Sequence, residues 1–233
     1  MNKVAVTTVS NDERYTKHLN LVAKAWDRLG YQLFVVKVGK EPFTTDYEND
    51  TYVQLPSEMY DSPSKATYCQ SLRFWAASNL LKGHECILIT DADILPIDKK
   101  HFTFELQEGE IMHLNAVPYP RFNGIPQLPA CYYAASYRTF HKYFPRDPDP
   151  ISWLKTYLGK HTEVGRDEFF ASQCIQKCNE IKARVIDARI GCERYRAQDE
   201  GKITPNRKVV DFHFPYIDNP EEIYNKLIGN SDG

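Results

Sequence analysis

A chain of 233 residues, 42% hydrophobic and 26% charged, can bury a substantial core and fits one large α/β domain more easily than two. Its formal charge of −2 gives no general attraction to nucleic acid. No apolar run approaches the ~18 residues needed to cross a bilayer, the opening M-N-K-V-A-V-T-T-V carries no signal-peptide cleavage pattern, and six cysteines without a C-x-x-C pair fit buried thiols in a reducing cytoplasm.

Lys3 to Val9 reads as a first strand rich in β-branched residues. Ser10 and Glu13 have the capping-box spacing, and Tyr15, Leu19, Val22, Trp26 and Leu29 recur at helical intervals up to Gly30. A second strand, Gln32 to Val38, completes a β-α-β start whose loop Thr8-Val9-Ser10-Asn11 lies at the carboxyl edge of the sheet, where ligands bind. No G-x-G-x-x-G and no Walker A sequence occurs, which excludes the common dinucleotide and P-loop grips. From Gly39 to Pro63 the chain is a polar excursion with a short edge strand at Thr51 to Leu55. Ser62 and Pro63 then read as the N-cap and first position of a helix reaching Leu81 and ended by Gly83. Ala66, Cys69, Leu72, Trp75 or Ala76 and Leu80 form its apolar stripe, with Gln70 and Arg73 toward the other side.

The run E-C-I-L-I-T-D-A-D-I-L-P from Glu85 to Pro96 is the centre of the chain. Cys86 to Ile89 reads as a strand buried on both faces. Extended geometry beyond it places Asp91 and Asp93 on one side, with Ala92 pointing away. Two close carboxylates repel unless a divalent cation compensates them, which makes this a metal and phosphate arrangement. Glu110 to Val117 reads as a further strand, Pro118 to Pro129 as an irregular proline-rich loop, and Ala130 to Ala135 as a short apolar segment. Ser136 to Tyr143 and Ile151 to Leu158 read as helices, the second on the surface. Asp167 and Glu168 open another helix through Phe169, Phe170, Cys174 and Ile175, where acidic residues suit the macrodipole and also offer carboxylates for catalysis. Ala183 to Ile190 is a late strand, Gly191 to Lys208 a basic loop, Val209 to Phe214 a last strand, and Pro220 to Ile228 a short helix. Cys174 and Cys178 share a helix face but lack a third soft ligand in register, so zinc is not indicated.

Taken together, the β-α-β start, the strand ending in Asp91-Ala92-Asp93, the acidic helix start at Asp167 and the late strand with His213 resemble the GT-A fold of nucleotide-sugar-dependent glycosyltransferases, a single Rossmann-like domain with a mixed central sheet flanked by helices. The stretch S-L-R-F-W-A-A-S-N-L-L-K-G-H-E-C-I-L-I-T-D-A-D is similar to the donor helix, strand and D-x-D of the glycogenin and bacterial galactosyltransferase type. The resemblance implies a donor contact at Arg73, Mn²⁺ (or Mg²⁺) and ribose at Asp91 and Asp93, a metal-ligating His213, and uracil held by Thr8, Asn11 and Tyr15. Ala92 would lie against the donor. It further implies residues 1–117 as the nucleotide-sugar half and 118–233 as the acceptor half. The family's H-x-x-G-x-x-K-P-W ending is replaced by H-F-P-Y-I-D-N-P, so its lysine is missing, and the N-A-G acceptor turn by Leu128-Pro129-Ala130.

The chemistry agrees with that resemblance. Cleaving a sugar from a nucleoside diphosphate leaves negative charge that an oxygen-ligated divalent ion stabilises, and a histidine ligand favours Mn²⁺ over Mg²⁺. The expected reaction is transfer from a UDP-sugar to a glycan or glycoprotein acceptor. Asp167 or Glu168 serves as general base if the configuration inverts, and Asp167 holds donor hydroxyls if it is retained. A haloacid-dehalogenase phosphatase fits poorly, because Ile94-Leu95 follows the second Asp where Gly-Thr would stand. A nucleotidyltransferase would need a Gly-rich, Arg-containing loop after the first strand, and T-T-V-S is not one. A non-catalytic sugar-binding module suits the 13% aromatic content, but it has no use for Asp93 and His213 together.

Overall fold

The computed structural model describes residues 2–114, 119–122, 125–127, 130–158, 166–177, 182–185, 192–196, 208–214 and 217–229. In chain order these form β1 (Lys3–Ser10), α1 (Glu13–Thr16), α2 (Leu19–Asp27), β2 (Gln32–Gly39), β3 (Asp50–Gln54), α3 (Ser57–Tyr60), α4 (Lys65–Asn79), β4 (Cys86–Ile89), β5 (Ile94–Pro96) and β6 (Glu110–His113). There follow β7 (Tyr119–Phe122), β8 (Ile125–Gln127), β9 (Tyr133–Ala135), α5 (Tyr137–Tyr143), α6 (Pro150–Tyr157), α7 (Arg166–Lys177), β10 (Lys182–Val185), β11 (Cys192–Arg196), β12 (Lys208–His213) and α8 (Pro220–Gly229).

The main sheet has seven strands in the order β10-β6-β9-β4-β1-β2-β3. It is parallel except at β9, which runs antiparallel to both β4 and β6. Because side chains alternate along a strand, the sheet feeds two cores. Val4, Val6, Ile87 and Ile89 enter the one that α4 covers. Ala5, Cys86 and Leu88 enter the one that α2 covers with Leu19, Val22 and Trp26. The α/β architecture with a mixed central sheet is the one expected, and β4 lies in the sheet interior with all four residues buried.

Several local expectations are corrected. Ser10 is still part of β1, so Asp12 caps α1 instead, its carboxylate accepting from Arg14 N, and the helix breaks before α2 begins. Ser62 Oγ accepts from Ser64 N within the preceding turn, and α4 starts only at Lys65. Ala66 and Leu80 are exposed, whereas every residue from Ser71 to Ser78 is buried. Helices α5, α6 and α7 cover the side of α4 that the sheet does not, so an amphipathic reading fails there. Helix α6 buries Trp153 and Leu154 and leaves Lys155, Thr156 and Tyr157 exposed, as a helix lying on the surface does. The proline-rich stretch contains the β7–β8 pair, and the basic stretch contains β11, which pairs in parallel with β12. Residues 115–117, 186–190, Cys178 and residues 197–207 of the basic stretch lie outside the described residues.

Candidate functional site

A cavity of about 430 Å³ opens at the carboxyl ends of β1 and β4, a size and place suited to a small-molecule ligand. Thr7, Thr8, Val9 and Ser10 form one wall, Lys65, Cys69, Gln70 and Arg73 of α4 a second, and Asp91, Ala92, Asp93 and His213 a third. Asp12, Arg14 and Tyr15 also line it, whereas Asn11 is exposed and does not. The hydroxyl of Thr7 is buried beside this space and has no hydrogen-bond partner among the described residues.

The acids of the D-x-D do not share one partner. Strand β4 stops at Ile89 and the chain turns through Ala92-Asp93, so strict alternation does not carry as far as the motif. Asp91 accepts a hydrogen bond from Arg73 Nη1. Asp93 Oδ2 lies 3.1 Å from His213 Nε2. His213 reaches this place because β12 runs antiparallel to β5, with His213 opposite Ile94 and Phe214 N donating to Asp93 O over 3.0 Å. Tyr132 OH donates to Asp211 Oδ2 at 2.8 Å and fixes the same strand from the core side.

Arg73 is 3% exposed. Nη1 also donates to Thr90 O and Nη2 to Asp167 Oδ2, each over 3.0 Å, while the buried Nε has no partner among the described residues. Burial favours the neutral guanidine, but Asp91 and Asp167 outweigh it and hold the Arg73 pKa above its ordinary value. Burial pushes the Asp167 carboxyl up, against the opposing pull of Arg73. Asp167 is 2% exposed and sits behind the cavity wall. Glu168 accepts from Ala130 N at 3.1 Å, and burial, then the neighbouring Asp167, push it up to about 7. Burial likewise raises the Cys69 thiol to about 12, leaving it a neutral wall.

Two ligands at right angles on an ion bonded at ~2.1–2.2 Å stand roughly 3 Å apart, which the Asp93–His213 separation matches. Among the described residues no three His, Cys, Asp or Glu side chains gather as a metal cluster. An ion placed between Asp93 and His213 would have two side-chain ligands there, and phosphate oxygens and water would have to complete its shell. Of the lining residues, Asp12, Arg14 and Lys65 were missed from the sequence. Lys65 had a signal: Lys65, Cys69 and Arg73 follow at four-residue steps along one helix face.

Protein-family models do not match this sequence, and neither do curated proteins searched by sequence. Solved structures do match. The galactosyltransferase LgtC, in complex with donor and acceptor sugar analogs, gives a TM-score of 0.55 at 12% identity, with 97% of this chain and 95% of that chain covered. The chain has the GT-A fold. A glycosyltransferase involved in glycosylation of the major capsid of PBCV-1 matches this GT-A fold with a TM-score of 0.52 at 11% identity, covering 96% of this chain and 99% of that one. The glycosyltransferase GlyE of Streptococcus pneumoniae TIGR4 matches with the same TM-score and identity, but only 60% of its longer chain is covered.

Proposed function

We propose that this GT-A chain is a metal-dependent glycosyltransferase moving a hexosyl or deoxyhexosyl group from a UDP-sugar to a hydroxyl of a glycan or glycoprotein. The observation that carries the reading is the 3.1 Å approach of Asp93 and His213 on the wall of a cavity at the carboxyl end of β4. Asp93 and His213 would hold Mn²⁺, or Mg²⁺ in its place, while Asp91, turned to Arg73, stands beside them and not with them. When bound, the ion supplies Lewis-acid stabilisation of the charge left on the departing diphosphate. Thr8 and Tyr15 line the nucleoside end, Asn11 meets the base from the exposed loop, and Ala92 is small enough for the donor to lie against.

Arg73 orients Asp91 on the cavity wall, while Asp167 positions Arg73 from behind. Glu168, next to Asp167 and accepting from Ala130 N, stands outside the residues that line the cavity, and with its carboxyl raised to about 7 it would exchange a proton with an acceptor hydroxyl that reaches it from residues 118–233. Residues 1–117 supply most donor contacts and 118–233 the acceptor side. Among the described residues no helix is long and apolar enough to cross a membrane, and the buried, reduced thiols of Cys69 and Cys86 support a reducing, cytoplasmic setting. Calorimetric titration of UDP with and without Mn²⁺, followed by a donor-hydrolysis screen across nucleotide sugars, tests the reading. UDP affinity indifferent to the metal would overturn it.

A further inference from the structure

A diphosphate brings negative charge into a cavity that already contains Asp12, Asp91 and Asp93, and a lining cation would meet the part of it that one divalent ion leaves uncompensated. Arg14 is committed to Asp12, its Nε donating to both carboxylate oxygens at 2.9 and 3.1 Å. Arg73 is committed to Asp91 and Asp167 in the core. Matching acids with bases around the wall leaves Lys65, which forms no ion pair with a carboxylate among the described residues. Its ammonium lies 3.8 Å from the centroid of the Tyr60 ring. A ring face attracts a cation without neutralising it, so the charge stays available to an incoming anion. Lys65 is half-buried, at the first position of α4, two helical steps of four residues before Arg73 on the same cavity wall. Thr7 belongs to the same cavity wall, with its hydroxyl buried beneath the surface.

We propose that Lys65, held by the ring of Tyr60, binds the diphosphate of the nucleotide donor, a role closed to Arg14 and Arg73 by their carboxylate partners. The proposal rests on the reading of this cavity as a nucleotide-sugar site and names the cation of that site. Lysine suits the task as a compact, mobile point charge that follows the phosphates without demanding one geometry.

The test is calorimetry on the full chain in Mn²⁺ with three probes: UDP, uridine and inorganic pyrophosphate. Lys65→Gln is expected to weaken UDP and pyrophosphate about tenfold or more and uridine less than about twofold, since only the charge-assisted contact is lost. Tyr60→Leu is expected to reproduce part of that loss, and Tyr60→Phe, which keeps the ring face, to restore it. Metal-dependent UDP binding left unchanged by Lys65→Gln overturns the role of Lys65 alone. Equal weakening of uridine and UDP also overturns it, by assigning Lys65 to the nucleoside end. If UDP binding in the wild type ignores Mn²⁺, the glycosyltransferase reading falls; pyrophosphate bound by the wild type and lost from Lys65→Gln would still uphold the anion site.

Discussion

Arg73 Nη2 donates to Asp167 Oδ2 over 3.0 Å between two side chains that are 3% and 2% exposed, so one charged contact joins α4 to α7 behind the cavity. Removing Arg73 takes from the buried Asp167 carboxylate its guanidinium partner, and removing Asp167 leaves the buried Arg73 with Asp91 and Thr90 O alone to answer its charge. Arg73→Met and Asp167→Leu are each expected to cost ~3–5 kcal/mol in urea unfolding. The double variant should cost clearly less than the sum, because Asp167→Leu removes the carboxylate that Arg73→Met leaves without its guanidinium. Additive losses would mean that the two side chains do not depend on each other.

The next contact acts on the metal site through the backbone. Tyr132 and Asp211 are both 1% exposed and meet at 2.8 Å, and Asp211 is two residues before His213 on β12. Tyr132→Phe keeps the ring and removes the donor, at an expected cost of ~1–3 kcal/mol. Mn²⁺-dependent UDP binding should weaken with it, and by less than in His213→Ala. Unfolding curves and UDP titrations on the same preparation check both statements; a stability loss without any change in metal-dependent binding would detach Tyr132 from the site.

What could be read from the sequence follows how local each signal is. Cys86 to Ile89 announced β4 because a strand buried on both faces is apolar throughout, and the two acids after it needed only their spacing to suggest a ligand site. The role of α4 was harder. Its outward side is covered by three later helices, so Arg73 looked solvent-facing although it is among the most buried charged groups of the chain. Strand β11 was hidden by its charges, Glu193, Arg194 and Arg196, which edge strands tolerate and even favour. Pro120 and Pro126 disguised β7 and β8 in the same way, since each strand of a two-stranded sheet has a free edge where a missing N–H costs little. The pairing of β12 with β5, which brings His213 to Asp93 across 120 residues, has no local signal at all.

The Glu168 carboxyl gives a pH dependence whose direction is fixed. Burial, then Asp167, raises it from the ordinary 4.5 to about 7 in the folded chain. Below pH 4.5 folded and unfolded chains both carry the proton, and the contribution to stability is fully present. Between 4.5 and about 7 the unfolded chain releases the proton first, so stability falls as pH rises and the contribution is gone above the folded value. With allowance for the water that reaches this group, the loss is about 1–2 kcal/mol. Glu168→Gln should lack this slope while keeping an acceptor for Ala130 N. Urea midpoints of the two proteins, measured from pH 4 to pH 8, should therefore diverge in favour of the variant as pH rises; parallel curves would place the Glu168 pKa at its ordinary value.

The metal reading makes the sharpest demand, because Asp93 and His213 are proposed to act as one unit. Asp93→Asn removes the anionic ligand and His213→Ala the nitrogen ligand, and each should abolish most of the Mn²⁺-dependent gain in UDP affinity. The double variant should be little worse than either alone, since once the ion is lost its second ligand has nothing left to hold. Fold stability should respond differently. His213 is 26% exposed and the hydrogen bond it shares with Asp93 is partly solvated, so the single variants should each cost no more than ~1 kcal/mol. Asp167→Asn should separate binding from turnover: the nucleotide and its ion still bind, while transfer falls because Arg73 loses the carboxylate that positions it. UDP titrations in Mn²⁺ and in chelator, run beside a transfer assay, read all four proteins. Independent, additive losses at Asp93 and His213, with the metal dependence intact in either single variant, would show that these residues do not share an ion.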